Sequence, residues 1–268
     1  MPSSVPGNVA ILSELVELAC RDADRRLGAL RSQAGAHQYL RLYRLFCAYV
    51  PARAEVLDWG AGNGHFSYFL TRTGYRATGF GFEEPCFIDE RVATSYSFVM
   101  GSPSDPIALP FADKSFDAVA SIGVLEHVRE TGGNEAASLG EIRRVLRPGG
   151  TFVCYHLPNR LSAIDFVARQ LPGVHHHRYR FDRREIERLV ATTGLELLET
   201  RRYGIVPRNP WSAFPRPLRF SVAVAKGWDV LDEVAGRLLS PLCQNYWFVA
   251  RKRSRPPNVA GSPRPSSC

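Results

Sequence analysis

Val56-Leu57-Asp58-Trp59-Gly60-Ala61-Gly62-Asn63-Gly64 reads as an apolar strand that ends in an acidic residue and opens into a loop with glycine at alternate positions. Phe66-Ser67-Tyr68-Phe69-Leu70 then continues as a helix that Gly74 stops. In an open parallel sheet, ligands sit at the carboxyl ends of the strands where the strand order reverses. The loop after the first strand must bring backbone close to such a ligand, and glycine permits that approach. Asp58 can accept a hydrogen bond from a ligand ammonium group, while the helix start offers N–H groups and a favourable dipole to a carboxylate. The rival is a dinucleotide loop, G-x-G-x-x-G. Counted from Gly60 its third glycine falls on His65, and counted from Gly62 it falls on Ser67, so both registers fail.

Outward from this loop the chain alternates strand and helix, the pattern of a parallel sheet covered on both faces. Strands are expected at 54–58, 77–80, 97–100, 116–122, 151–155, 195–201 and 246–250, with helices at 136–146, 161–171 and 183–192. The predicted fold is α/β, a Rossmann-like, seven-stranded, mostly parallel sheet with helices on both faces. Residues 1–50 form an N-terminal helical extension, with Gly28 and Gly35 dividing its helices, and Pro51 ends it. Residues 51–250 form the main domain. A cap at about 203–243, inserted before the last strand, contains an amphipathic helix at 227–239. Residues 251–268, opening Arg251-Lys252-Arg253, are expected to be a disordered basic tail.

Three later stretches accompany the glycine loop: Leu109-Pro110-Phe111-Ala112-Asp113-Lys114-Ser115-Phe116-Asp117, Gly123-Val124-Leu125-Glu126-His127-Val128 and Arg144-Val145-Leu146-Arg147-Pro148-Gly149-Gly150. With these four segments in order, the sequence resembles the class I S-adenosylmethionine-dependent methyltransferases over about residues 54–200. The similarity is to the branch that includes the ubiquinone- and menaquinone-biosynthesis methyltransferases. The resemblance implies S-adenosyl-L-methionine as cofactor, held at its methionine end by Asp58, Gly60, Gly62 and Gly64. Asp105 matches the acidic residue that receives the adenine amino group; read from its own surroundings, it is a turn residue before Pro106. One departure stands out: the acidic residue that binds the ribose diol in the family is replaced by Gly81. A carboxylate accepts two hydrogen bonds at once and glycine cannot, so Glu83, with Glu84 as a second candidate, is expected to reach in from a longer turn. A chain that lost the cofactor and kept the fold for binding is the alternative this departure leaves open.

The acceptor should lie beyond the fourth and fifth strands, beside Glu126, His127, Tyr155, His156 and Asn159. A hydroxyl acceptor needs its proton removed. His127, His156 and His176, the last from His175-His176-His177, compete as the base. The expected reaction is O-methylation of a small molecule, such as a natural product, quinone precursor or glycolipid, with N- or C-methylation as the alternative. Some related quinone-pathway enzymes use a metal held by further acidic residues here. Gly123 and Val124 add no ligand, so no metal is expected.

Composition agrees with one substantial core, with 45% hydrophobic and 22% charged residues. The net charge of +8 lies partly in the basic tail and accompanies no nucleic-acid-binding motif, so no nucleic-acid partner is expected. Six scattered cysteines without a C-x-x-C pair suit reduced thiols. Met1 to Gly7 lack the basic-then-apolar order of a signal peptide, and no apolar run reaches the ~20 residues of a bilayer helix, so a cytoplasmic location is expected. Trp211, Phe214 and Phe220 among Arg208, Arg216 and Arg219 leave peripheral membrane contact open. Asp229, Asp232 and Glu233 on the next helix argue against it. The oligomeric state is left open.

Overall fold

The computed structural model describes residues 7–21, 25–88, 91–174 and 176–254. Helix α1 (Asn8–Arg21), the short α2 (Gln33–Ala36) and α3 (Gln38–Tyr49) precede β1 (Glu55–Trp59), α4 (His65–Arg72), β2 (Arg76–Gly81), β3 (Tyr96–Met100) and β4 (Phe116–Ile122). Then come α5 (Glu135–Val145), β5 (Leu146–Pro158), α6 (Ala163–Ala168), α7 (Arg183–Thr192) and β6 (Leu195–Tyr203). The segment between the last two strands carries α8 (Arg216–Arg219) and α9 (Val222–Leu238) before β7 (Asn245–Lys252).

These strands form one seven-stranded sheet in the order β3-β2-β1-β4-β5-β7-β6. The pairs from β3 through β5 are parallel, and β7 runs antiparallel to both neighbours. The order reverses between β1 and β4, so the expected sheet and switch point are present. Successive strand residues face opposite sides. Val56, Ala118, Ala120 and Val153 pack under α1, α3 and α4, while Leu57, Val119, Phe152 and Cys154 pack under α5 and α7. The Pro148-Gly149-Gly150 turn lies inside β5, Gly149 taking φ +79°, so this strand starts earlier than the sequence reading set it.

Arg144 links two of the motif stretches. Its guanidinium donates to the carbonyls of Leu109 (2.8 Å) and Phe111 (2.7 Å) and pairs with Asp113 and Glu141, while Glu141 accepts from the Leu109 amide at 3.0 Å. Those residues tie the segment before β4 to the end of α5, and their roles are structural.

The N-terminal helices lie against the region between β6 and β7. Gly35 sits inside α2 and does not divide helices; a Cβ there would lie 2.3 Å from the Ala29 carbonyl. Arg208 donates to the Ala34 carbonyl (3.0 Å) and to Asp229 (2.7 Å), and reaches Asp232 at 3.4 Å. His37 Nδ1 lies 2.7 Å from the other Asp229 oxygen. Asp232 also accepts from the amides of Ile205 and Val206. Asp229 and Asp232 of α9 therefore point inward while Glu233 is exposed, and the outward face carries Val230, Leu231, Val234 and Leu238. The reason is the buried cation, Arg208, which the carboxylates neutralise. Burial works against the Asp229 charge, but the bonds from His37 and Arg208 win and hold its pKa below the ordinary value.

β7 includes Arg251 and Lys252, the first residues of the expected tail, and residues 255–268 lie outside the described residues. No disulfide links the described cysteines. Among the described residues no helix is long and apolar enough to cross a membrane.

Replacing Arg208 with Met should leave two carboxylates without their cation and lower unfolding stability by about 3 kcal/mol. The urea midpoint should fall, and limited proteolysis should cut first between β6 and β7. An unchanged midpoint would mean that the pairing contributes nothing.

Candidate active site

The glycine loop lies at the switch point. Gly60, Gly62 and Gly64 have φ of +74°, +52° and +85°, the left-handed region that side chains disfavour. At Gly60 a Cβ would also stand 2.4 Å from a Val124 methyl. Both the Gly60 and Ala61 amides donate to the Phe80 carbonyl, at 2.8 and 2.9 Å, which lashes the loop to the end of β2. Asp58, 1% exposed, accepts from Ser67 Oγ at 2.6 Å. Burial raises its pKa to about 6, with the Ser67 bonds opposing.

A cavity of about 1390 Å³ opens beside this loop. Its walls include Asp58, Gly60, Gly62, Asn63 and His65 on one side and Glu126, His127, His156, Asp165 and His177 on the other. His37, Tyr39 and Arg41 from the N-terminal helices and Val206, Arg208 and Asp229 from the β6–β7 segment roof it. That roof joins segments remote in sequence: a cap at 203–243 was expected, and the contribution of the N-terminal helices was not. The cavity exceeds the ~300–1,000 Å³ usual for one small ligand, which leaves space for an acceptor beside a cofactor.

Of the residues expected at the cofactor, Asp58, Gly60 and Gly62 line this cavity. Gly64 stands behind the loop as the N-cap of α4, where a Cβ would meet Pro85 at 2.7 Å. Glu83 and Asp105 are exposed and outside the lining. Asp105 instead accepts from the Ala108 amide at 3.2 Å and bridges to Ser102, the geometry of a local turn. Gly81 is buried at the end of β2, and a Cβ there would make only ordinary contacts, the nearest at 3.8 Å.

The three candidate bases separate. His156 lies at the end of β5 with φ +67° and lines the cavity. Its backbone N–H donates to the Tyr203 hydroxyl at 3.0 Å, and that hydroxyl stands 2.8 Å from His156 Nδ1. The Asn245 amide Nδ2, which can only donate, also stands 3.4 Å from Nδ1, so Nδ1 acts as the acceptor and a neutral ring carries its proton on Nε2. Burial pushes the His156 pKa down to about 3, which keeps the ring neutral. His156 thus presents a donor. His176 is exposed and outside the cavity; its neighbour His177 turns in, with Nδ1 3.3 Å from both oxygens of the buried Asp165. Burial opposes a charged His177, but Asp165 and the nearby Glu126 and Glu130 overcome it and raise the pKa. His127 follows β4 in a single 3-10 turn, Leu125–His127, with Nδ1 2.8 Å from Glu130. Glu126 in the same turn is 3% exposed, and burial lifts its pKa to about 7.

Tyr155 lines the cavity and also braces the scaffold, while Asn159 lies outside the lining. The Tyr155 hydroxyl donates to the Gln38 carbonyl at 3.0 Å, and the Asn159 amide donates to the Pro241 and Cys243 carbonyls. Sequence reasoning missed His65, whose ring packs on Tyr39 at 4.4 Å between centroids and whose pKa burial lowers to about 4. It had entered only as a failed glycine position.

Comparison with known proteins agrees with this geometry. Residues 57–154 match a family model described as a methyltransferase domain. The chain is 29% identical over 149 residues to a protein of Mycolicibacterium smegmatis named as a probable S-adenosylmethionine-dependent methyltransferase, covering 56% of this chain and 54% of that one. It is 30% identical over 122 residues to a ubiquinone/menaquinone biosynthesis C-methyltransferase of Desulfotalea psychrophila, covering 45% and 48%. The chain thus spans about half the length of these curated relatives. Among solved structures, the cyclase SpnF superposes with a TM-score of 0.56 at 18% identity, over 91% of this chain and 93% of that one, a likeness of fold alone. The matched domain of residues 57–154, the four ordered motifs and the sheet are those of a methyltransferase domain, and the chain is similar to the S-adenosylmethionine-dependent methyltransferases.

Proposed function

We propose that this chain transfers the methyl group of S-adenosylmethionine to a hydroxyl of a small, partly apolar molecule. The observation that carries the reading is the single cavity joining Asp58 and the glycine loop to the corner of Glu126, His127, His156 and His177. The residues present fit the cofactor: Asp58 is a buried acceptor for its ammonium group, and the left-handed loop exposes backbone to it. When bound, the cofactor supplies a methyl group already activated on a sulfonium. The protein has then to orient the acceptor, exclude water and dispose of one proton. His156 donates a hydrogen bond from Nε2 and orients the acceptor. Disposal of the proton falls to the corner of Glu126, His127 and His177. Ile164, Ala168 and Val174 give the acceptor end of the cavity an apolar wall.

The direct test incubates the full chain with cofactor and a cell metabolite extract and follows by mass spectrometry the compounds that gain the mass of one CH₂. A product whose new methyl sits on carbon or nitrogen would refute the hydroxyl reading and keep methyl transfer. Once an acceptor is known, His127→Ala should lower kcat by roughly 10²-fold, while His176→Ala should leave it within error.

Asp58 sets the pH dependence of cofactor binding. In the ligand-free protein it takes up a proton near pH 6, and the ligand ammonium group pairs only with the ionised form. Affinity for S-adenosylhomocysteine should therefore be full above about pH 6 and fall by up to ~tenfold per unit below it. Calorimetry on Asp58→Asn should find weaker binding without that slope. Binding undetectable at millimolar ligand in the unaltered chain would refute the cofactor assignment.

Gly81→Asp supplies the carboxylate that the family carries at this position, in space that accepts a Cβ. Two charged hydrogen bonds to the ribose should tighten S-adenosylhomocysteine binding about tenfold. Unchanged affinity would mean that the diol is held elsewhere.

A further inference from the structure

Glu126, His127 and His177 each offer one ligand atom, and the three atoms lie within 4.8 Å of one another. From this cluster we propose a binding site for one divalent transition-metal ion on the acceptor side of the cavity. Two walls supply the ligands: Glu126 and His127 follow β4, and His177 comes from the loop after α6, fifty residues further on in sequence.

Four observations converge. First, Glu126 is 3% exposed, and its Oε2 has no hydrogen-bond partner among the described residues. A buried carboxylate oxygen without a partner is costly, and a cation would satisfy it. Second, the Nδ1 of each imidazole is turned to a carboxylate, His127 to Glu130 at 2.8 Å and His177 to Asp165 at 3.3 Å. A carboxylate on one ring nitrogen orients an imidazole so that the other meets a metal. Third, His127 Nε2 lies 3.9 Å from Glu126 Oε1. Bonds of ~2.1 Å to a common ion need ligand atoms roughly 3–3.5 Å apart, a contraction that side-chain rotation supplies. Fourth, all three ligands line the cavity, so coordination positions remain open toward the acceptor.

Two imidazoles and one carboxylate suit Zn²⁺, Mn²⁺, Fe²⁺ or Co²⁺, whereas Mg²⁺ and Ca²⁺ prefer oxygen-only sets. The expectation of no metal rested on Gly123 and Val124 and did not include His177, which the fold brings to the cluster.

The role of the ion rests on the O-methyl reading; its binding does not. An acceptor hydroxyl on the ion loses its proton to solvent more readily. The oxygen lone pair forms the new C–O bond as the S–C bond breaks onto sulfur. The products are a methyl ether, S-adenosylhomocysteine and one proton, with the ion unchanged.

The test titrates ZnSO₄ into the full chain, prepared without a polyhistidine tag, in competition with a chromophoric chelator, and separately measures S-adenosylhomocysteine binding. The site predicts one tight equivalent of Zn²⁺ per chain. His177→Ala should weaken it at least 100-fold, Asp165→Asn by 10–100-fold, and His176→Ala not at all. S-adenosylhomocysteine affinity reports that each variant is folded; should His177→Ala fail that check, His127→Ala takes its place. Co²⁺ should give visible d–d bands that vanish in the same variants. No stoichiometric Zn²⁺ in the unaltered chain, or equal loss in His176→Ala, overturns the site. A chain that binds Zn²⁺ but not S-adenosylhomocysteine keeps the metal site and overturns the methyl-transfer reading instead.

Discussion

The backbone at Gly60 can be held only by a residue without a side chain. Its φ is +74°, and a Cβ would stand 2.4 Å from the Val124 methyl that packs against it. This contact ties the two halves of the site together. Val124 leads directly into the turn that carries Glu126 and His127, so the glycine loop and that corner of the cavity rest on each other. The amides of Gly60 and Ala61, both given to the Phe80 carbonyl, fix the other side of the loop on β2. With the loop so held, Asp58 is delivered at the end of β1 to the edge of the cavity.

A second constraint closes the site from above. The guanidinium of Arg208 gathers Asp229, Asp232 and the Ala34 carbonyl, and His37 adds a further contact to Asp229. The N-terminal helices and the β6–β7 segment are thereby one roof. That roof covers the cavity, and under the proposed methyl transfer it would keep water from the reacting atoms.

Much of this was legible in the sequence because it is local. The strand, the alternate glycines and the helix after them are consecutive, and each obeys a short-range rule: period in the strand, positive φ in the loop, a free amide end in the helix. The sheet was legible for the same reason. A cap at 203–243 was expected, but its joining to the N-terminal helices was not, since His37 and Asp229 are 192 positions apart. Nor could sequence decide between His176 and His177, because adjacent loop residues differ in direction through backbone angles that no periodicity sets. The pairing of Asp229 and Asp232 with Arg208 was not legible, because the cation lies on a different segment. His156 was foreseen at the site, but its proton position follows from Asn245 and Tyr203, residues of β7 and β6 that only the folded sheet brings near.

The most direct test is a crystal structure of the full chain with S-adenosylhomocysteine bound. The account predicts the ligand ammonium group on Asp58, the carboxylate toward the start of α4, and the sulfur facing the corner of Glu126, His127, His156 and His177. A ligand seated away from Asp58, or a sulfur turned from that corner, would contradict it.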